Sequence, residues 1–415
     1  MRQDEAHVIV VGAGPGGAML AYLLAREGIP VTLIERHKDF SREFRGEVLM
    51  PGGLEPFDQI GLWDQLNHVP HVNIKGFKVF INQTEAFRVA SLESVLGRHN
   101  LRWVSQPELL EMLVSEASKY QAFQMIRGNR VRKLIVESGE VVGVEVQGDH
   151  DQYELHGDLI VGADGRTSVV RSQMRTKVRK DRIPMDIVWL KLPKPVSGFE
   201  DIVRAYIGRG RLVIIAPTPD DKMQIGFIIP KGSYKELRQK GIASIVEEIA
   251  DHIDPELAQH LVAFKEAVVN PFLLSTVSDC VVKWWSPGAF LIGDAAHTMS
   301  PVGAQGLNMA IRDAVVASNH LVPAILNGAK RIELNQACEK IQVERMKEIQ
   351  AIQKIQARPP RILLKNTWWA RLLLRIVPRL IGGEITPRRD ARFFSEMFFG
   401  VTTVQVHPHE GKLPL

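Results

Sequence analysis

Cysteine is almost missing from this 415-residue chain: Cys280 and Cys338 are the only two. Two thiols so far apart make no disulfide framework and no metal cluster, and they suit a reducing compartment, so the cytoplasm is the expected location. No apolar run approaches the ~20 residues that a membrane-crossing helix needs. The polar start Met1-Arg2-Gln3-Asp4-Glu5 leads straight into an apolar strand pattern, so no signal peptide is expected. No low-complexity tract or internal repeat is present, which argues against a solenoid. An excess of one charge is also lacking over most of the chain. From Lys354 to Phe393 ten Lys or Arg stand against Glu384 and Asp390, a net of +8, and the overall charge of +5 leaves the remainder slightly acidic. A nucleic-acid surface is therefore not expected.

What is present is a globular composition, 45% hydrophobic and 24% charged, long enough for two or three domains. Its most informative stretch is Val8 to Glu35. Val8-Ile9-Val10-Val11 reads as a parallel strand buried on both faces. Gly12-Ala13-Gly14-Pro15-Gly16-Gly17 contains the spacing G-x-G-x-x-G, Ala18 to Glu27 reads as a helix, and Val31-Thr32-Leu33-Ile34 is a second strand ending in Glu35. Gly12 allows the sharp turn, Gly14 removes a Cβ where a pyrophosphate approaches, and Gly17 lets helix and strand pack closely. The helix N-terminus offers unpaired N–H groups to phosphate, and a carboxylate at Glu35 can accept ribose hydroxyls. Strand, turn, helix, strand and acid fall in order, which points to dinucleotide binding.

Further on, Arg42 to Gly52 is a charged, glycine-containing loop, and Gly53 to Leu66 has a helical pattern with Gly61 as its weak point. Val72 to Val89 reads as a strand or hairpin and Pro107 to Ser118 as a helix. Val131–Val136, Val141–Val146 and Gln152–Leu155 form a predicted antiparallel meander. Strand patterns over 187–192, 202–207, 212–217 and 223–229, joined by short turns, predict an antiparallel second domain. Helical patterns follow to Phe264.

Two more turns carry chemistry. Asp158 to Arg171 runs from a buried strand into Gly162-Ala163-Asp164-Gly165 and then a short helix. Asp164 there either shapes an Asx turn or serves a ligand, and Arg166 could meet phosphate. Phe290-Leu291-Ile292 is a buried strand with Asp294 just past its carboxyl end, the ligand edge of an open α/β sheet. Pro301 to Gly306 is a glycine loop that opens a long helix to Leu326. His297 lacks a second ligand at metal spacing, so a structural role is expected and no metal is assigned.

Together these stretches resemble the FAD-dependent aromatic hydroxylases, single-component flavoprotein monooxygenases of the para-hydroxybenzoate hydroxylase type. Gly12, Gly14, Pro15, Gly16 and Gly17 with Glu35 match the first FAD motif. Asp164 and Gly165 match the Asp-Gly motif that serves FAD and NAD(P)H, and Gly293-Asp294 with Pro301 and Gly303 to Asn308 match the Gly-Asp motif. The resemblance implies an α/β fold: a Rossmann-like FAD-binding domain with an inserted antiparallel β-sheet substrate domain and C-terminal helices. The implied boundaries are 1–70, 98–180 and 276–328 for FAD, 71–97 and 181–275 for substrate, and 329–415 for helices and tail. By the same resemblance Arg36 lies over the adenine, Arg45 contacts a mobile flavin, and Gln106 (with Arg102 close by) and Val131 join the cofactor site. Asp294 meets the ribityl or pyrophosphate region, while Gly303, Ala304, Leu307 and Asn308 lie along the flavin ring. Ala304 stands where glycine is common. Arg45 and Pro301 are the implied catalytic positions, Pro301 shaping the cavity.

The implied reaction takes hydride from NAD(P)H and O2 through a flavin C4a-hydroperoxide to hydroxylate or epoxidise an aromatic or polycyclic small molecule. The cofactor does that chemistry, so no indispensable side-chain nucleophile is expected. A reductase of the same fold, such as a prenyl-chain reductase, and a non-catalytic flavin-binding protein remain as alternatives. Trp368, Trp369, Leu372, Leu373 and Ile376 beside Arg371, Arg375 and Arg379 form a basic amphipathic pattern. It suits either peripheral membrane contact or, the favoured reading, packing on the FAD domain or a partner subunit. Monomer and homodimer both stay open.

Overall fold

The structure, a computed structural model, describes residues 6–41, 47–268, 271–359, 383–385 and 392–408. Two sheets organise it. The first has six strands in the order Trp285–Ser286, Ala289–Leu291, Leu159–Gly162, Val8–Val11, Val31–Glu35, Phe123–Arg127. All neighbours pair in parallel except the short outer strand Trp285–Ser286. Val8 to Val11 and Val31 to Glu35 are buried at every position, as strands covered on both faces must be. Helices Pro15–Arg26, Gln106–Ala117 and Gln305–Leu326 pack together over this sheet, and the meander Arg130–Glu137, Glu140–Gln147, Gln152–His156 packs against Leu159–Gly162.

The second sheet has eight strands: Phe272–Leu274, Met185–Pro193, Lys222–Pro230, Arg211–Pro217, Ile202–Gly208, Gly76–Ile81, Thr84–Val89, Gly383–Ile385. It is mostly antiparallel, as expected, but Ile202–Gly208 lies parallel to Gly76–Ile81, as does Gly383–Ile385 to Thr84–Val89. Distant segments meet at those junctions, so no hairpin dictates direction there. The period of two along each strand gives this sheet two different faces. Val188, Leu190, Val213, Ile215, Ile225 and Phe227 pack under Leu237, Ile245, Ile249 and Leu261 of the covering helices. The alternate residues Ile187, Trp189, Leu212, Ile214 and Ile228 gather with Val302, while Phe77, Val203 and Ala216 gather with Val48, Trp103 and Ala304. That face therefore meets the glycine loop that opens the long helix.

The helix expected over 53–66 is instead two helices, Pro51–Gln59 and Trp63–His68. Gly61 breaks it, with φ +76°. The chain after Leu326 forms one 26-residue helix, Arg331–Gln356, beside Gln305–Leu326. The basic amphipathic pattern at 368–379 lies outside the described residues.

Candidate functional site

The three motif turns sit at the carboxyl ends of three neighbouring strands. At the first, Gly12 has φ +100°, and a Cβ there would come within 2.6 Å of the Ala163 carbonyl oxygen. A Cβ on Gly17 would lie 2.0 Å from the Gly12 carbonyl oxygen. Gly14 is different, because nothing lies within 4 Å of its missing Cβ. Of the turn's four glycines, Gly12 and Gly17 are demanded by the protein's own backbone, Gly16 stands close to the Ala310 carbonyl, and Gly14 opens onto space. Pro15 begins the helix, where its missing N–H costs no helical bond. Glu35, 3% exposed, accepts from the Ala13 N–H at 3.0 Å and from the His37 N–H at 3.1 Å. Its carboxylate bolts the glycine turn to the end of the second strand. Arg36 is exposed and its Nε donates to His37 Nε2 at 3.0 Å.

At the second turn, the Val169 N–H donates to Asp164 Oδ2 at 2.7 Å, while the buried Oδ1 has no partner among the described residues. Burial pushes this carboxyl upward. Gly165 turns the chain with φ +79°. Arg166 Nε stands 3.2 Å from Asp294 Oδ2, joining the second turn to the third. Asp294 is only one-third exposed, in the short turn Gly293–Ala295.

The third turn runs through Pro301 and Val302–Ala304 into the helix Gln305–Leu326. Gly303 has φ +71° and Ala304 φ +50°, ψ +40°. A left-handed alanine is strained by about 1–2 kcal/mol. Asn308 spends its amide on backbone: Nδ2 donates to the Val48 and Ala304 carbonyls, each at 3.0 Å, and Oδ1 accepts from the Met50 N–H at 2.8 Å. It clamps the loop before Pro51–Gln59 onto the start of the long helix. Leu307 is buried in the core of the first sheet. Met397 lies over this turn, since a Cβ on Gly303 would sit 2.1 Å from its Cε. Gln305 Nε2 donates to the Met397 carbonyl at 2.7 Å.

Gln106 is buried at the start of its helix, and Val131 is buried in the meander. Arg102 is drawn elsewhere, its guanidinium 4.4 Å from the Trp63 ring centroid. Arg45 lies outside the described residues. Trp284 is fully buried, its Nε1 donating to the Val281 carbonyl at 3.0 Å.

A buried charge network beneath the third turn was missed in the sequence. His297 Nε2 lies 2.6 Å from Asp313 Oδ2, which also accepts from the Gly293 N–H at 2.9 Å. Asp313 Oδ1 accepts from Arg345 Nε at 2.7 Å, Arg345 pairs with Glu348, and Glu348 Oε1 meets Arg312 Nη2 at 2.8 Å. Glu348 Oε1 further accepts from the Val401 N–H at 2.9 Å. Burial by itself would raise both carboxyls. His297 and Arg345 outweigh it at Asp313, as Arg345 and Arg312 do at Glu348, and both are held down at about 2. The available signal was charge on apolar helix faces: Arg312-Asp313 between Ile311 and Ala314, and Arg345 and Glu348 between Ile341 and Ile349. No His, Cys, Asp or Glu cluster suited to a metal occurs among the described residues.

Comparison with known proteins bears on the family and the fold. The family model described as FAD binding domain matches residues 5–346. A 6-methylpretetramide 4-monooxygenase of Streptomyces rimosus is 33% identical over 374 residues, 88% of this chain and 86% of that protein. A squalene monooxygenase of Panax ginseng is 25% identical over 76% of this chain, which spans only 58% of that longer protein. The crystal structure of p-nitrophenol 4-monooxygenase from Pseudomonas putida superposes with a TM-score of 0.78 at 17% identity, over 96% of this chain and 99% of that one.

Proposed function

Because this chain belongs to the FAD-dependent aromatic hydroxylase family, we propose that it uses NAD(P)H and O2 to hydroxylate or epoxidise an aromatic or polycyclic small molecule on bound FAD. One observation carries the reading. Three motif turns converge at the ends of adjacent parallel strands, and the apolar face of the second sheet closes on the third turn. The residues fit FAD. The open side of Gly14 leaves room for a pyrophosphate against the helix N-terminus at Pro15, Gly16 and Gly17. Asp164 Oδ1 needs a donor, which a dinucleotide's hydroxyl groups provide.

In this reading Glu35 holds the adenosine ribose beside Arg36, with Gln106 and Val131 on the path of the chain toward the flavin. Gly165 and Asp294 border that path, and Arg45 contacts the flavin. Gly303, Ala304, Leu307 and Asn308 line the ring, the last by fixing the loop rather than by offering a free amide. FAD, when bound, accepts the hydride and activates oxygen. The protein's share is to present the helix N-terminus at Gln305 to negative charge on the ring, to exclude water with Val302, Trp189 and Ile214, and to orient substrate beside Pro301. No helix among the described residues is long and apolar enough to cross a membrane. Two free, buried thiols support a cytoplasmic setting.

The test is NAD(P)H oxidation by the purified protein, with and without a panel of phenols, quinolones and polyketide aromatics, with products weighed by mass spectrometry. Stimulated oxidation with gain of one oxygen is the expected result. Gain of two hydrogens instead would establish a reductase, and bound FAD with no stimulation a non-catalytic flavoprotein.

A further inference from the structure

Glu47 directly precedes the short strand Val48–Leu49 and lies near Lys191 of the second sheet. Its carbonyl accepts from the Val104 N–H at 2.7 Å, and the next residues, Val48–Leu49, pair with Arg102–Trp103. Its Oε2 accepts from Trp103 Nε1 at 2.9 Å. Among the described residues no donor meets Oε1. One residue on, the Val48 carbonyl is held by Asn308, whose same nitrogen holds the Ala304 carbonyl. Glu47 is thereby anchored to the turn assigned above to the flavin ring.

The second sheet presents a row here. Lys191 is in register with Gln224, and Gln224 with Ala216. Their neighbours Leu190, Leu192, Ile215, Met223 and Ile225 pack under the covering helices, so the row faces the other way. Gln224 is only 3% exposed, and Ala216 belongs to the apolar cluster of Val48, Trp103 and Ala304. Lys191 is near enough to act on the Glu47 carboxylate, and Ala216 ties the row to the apolar cluster that holds Val48, Trp103 and Ala304.

Among the described residues the charges around Glu47 are few. From the sheet come Lys191 and, 3.1 Å from its Nζ, Asp220, which also lies 3.4 Å from Lys222 Nζ. On the strand beside it Arg102 turns onto Trp63. The long helix offers the neutral Gln305 and Asn308. Burial is the largest influence and pushes the Glu47 carboxyl up to about 7, against the Trp103 hydrogen bond and Lys191, with Asp220 adding to the rise. A carboxyl poised near neutral pH is suited to proton transfer.

We infer that Glu47 is the proton acceptor for a substrate hydroxyl bound between the Lys191–Gln224 row and the Ala304 turn. The O–H bond of a phenol or enol breaks, its proton passes to Glu47 Oε1, and its electron pair stays on the substrate oxygen. The resulting anion enriches the ring carbon that takes up oxygen, and Glu47 later releases its proton to solvent. The inference rests on the hydroxylase reading above.

The experiment compares wild type, E47Q and W103F as FAD-loaded full chains, using the panel phenol that best stimulates NAD(P)H oxidation. In wild type kcat/KM rises with pH along a limb centred at about 7 and then levels off. E47Q loses that limb and falls by roughly 100-fold at neutral pH, and the deficit closes near pH ~10, where a simple phenol ionises unaided. W103F keeps Glu47 but removes a bond that favours its anion, so the limb persists and moves to higher pH. Infrared pH-difference spectra without substrate give a second readout: a carboxyl C=O band that titrates near neutrality in wild type and is missing in E47Q. An E47Q enzyme that retains the limb, or one equally slow at every pH, overturns the role, as does the lack of that infrared band. If no hydroxylated aromatic stimulates oxidation in wild type, the hydroxylase reading falls and takes the role with it. Loss of the role alone shows as equal stimulation in wild type and E47Q.

Discussion

The two sheets use apolar residues in opposite ways. The first buries both faces and ends in turns where the backbone leaves no room for a Cβ at Gly12 or Gly17. The second buries one face under helices and leaves the other, with alternate residues of five strands, to meet the glycine loop that opens the long helix. A backbone site is rigid in its demands, because a Cβ at Gly12 or Gly17 meets main chain and one at Gly14 would fill the space left open beside the turn. A side-chain face can change one residue at a time without disturbing the strand that carries it. The difference teaches why cofactor and substrate recognition can vary independently in one chain.

The comparison is broken most severely at the glycine turn. Gly17→Ala places a Cβ 2.0 Å from the Gly12 carbonyl and is expected to yield protein that neither folds well nor holds FAD. Gly14→Ala meets nothing within 4 Å. It should therefore fold with a normal circular dichroism spectrum, yet purify with little flavin. If both variants retain FAD, the backbone account of the site is wrong.

Beneath the third turn, Arg345→Met leaves Asp313 and Glu348 buried without their shared cation. The expected loss is about 3–5 kcal/mol by urea unfolding. Asp313 and Glu348 are held at about 2, below their unfolded values. Their contribution is therefore complete above pH ~4–5 and disappears as pH falls toward 2. The gap in stability between wild type and variant should narrow along that same acid range. A constant gap would mean the pairs contribute packing rather than charge.

On the second sheet, Trp189 lies across Gly226, where a Cβ would sit 2.8 Å from its ring. Trp189→Phe should change kcat/KM for substrate by about tenfold, equivalent to about 1.4 kcal/mol, while FAD content stays the same. An equal loss of flavin would erase the proposed division between the sheets. The smallest effect is expected at Ala304→Gly, which removes the left-handed alanine. A gain of about 1 kcal/mol in thermal unfolding is expected.

Much of the first sheet was legible because its signals are local. A strand, a glycine turn, a helix N-terminus and an acid lie within Val8 to Glu35, and their order alone predicts their geometry. The turns at Asp164 and Asp294 were legible for the same reason. Gly61, marked as the weak point of its helix, is where the chain breaks, though the pattern did not show that it would yield two helices. The parallel junction between 202–208 and 76–81 left no local trace, since register between distant strands is set by which faces find each other.

By itself the sequence determined the dinucleotide turn, the α/β class and the family, because each follows from residue types at short spacing. Only the tertiary structure decided what those residues touch. It turned Glu35 and Asn308 into backbone clamps and put Ala304 in a left-handed turn. It joined Arg312, Asp313, Arg345 and Glu348 into one buried network and brought Glu47 near Lys191 of the second sheet. Burial and charge pairing depend on neighbours remote in sequence, and those exist only once the two sheets have met.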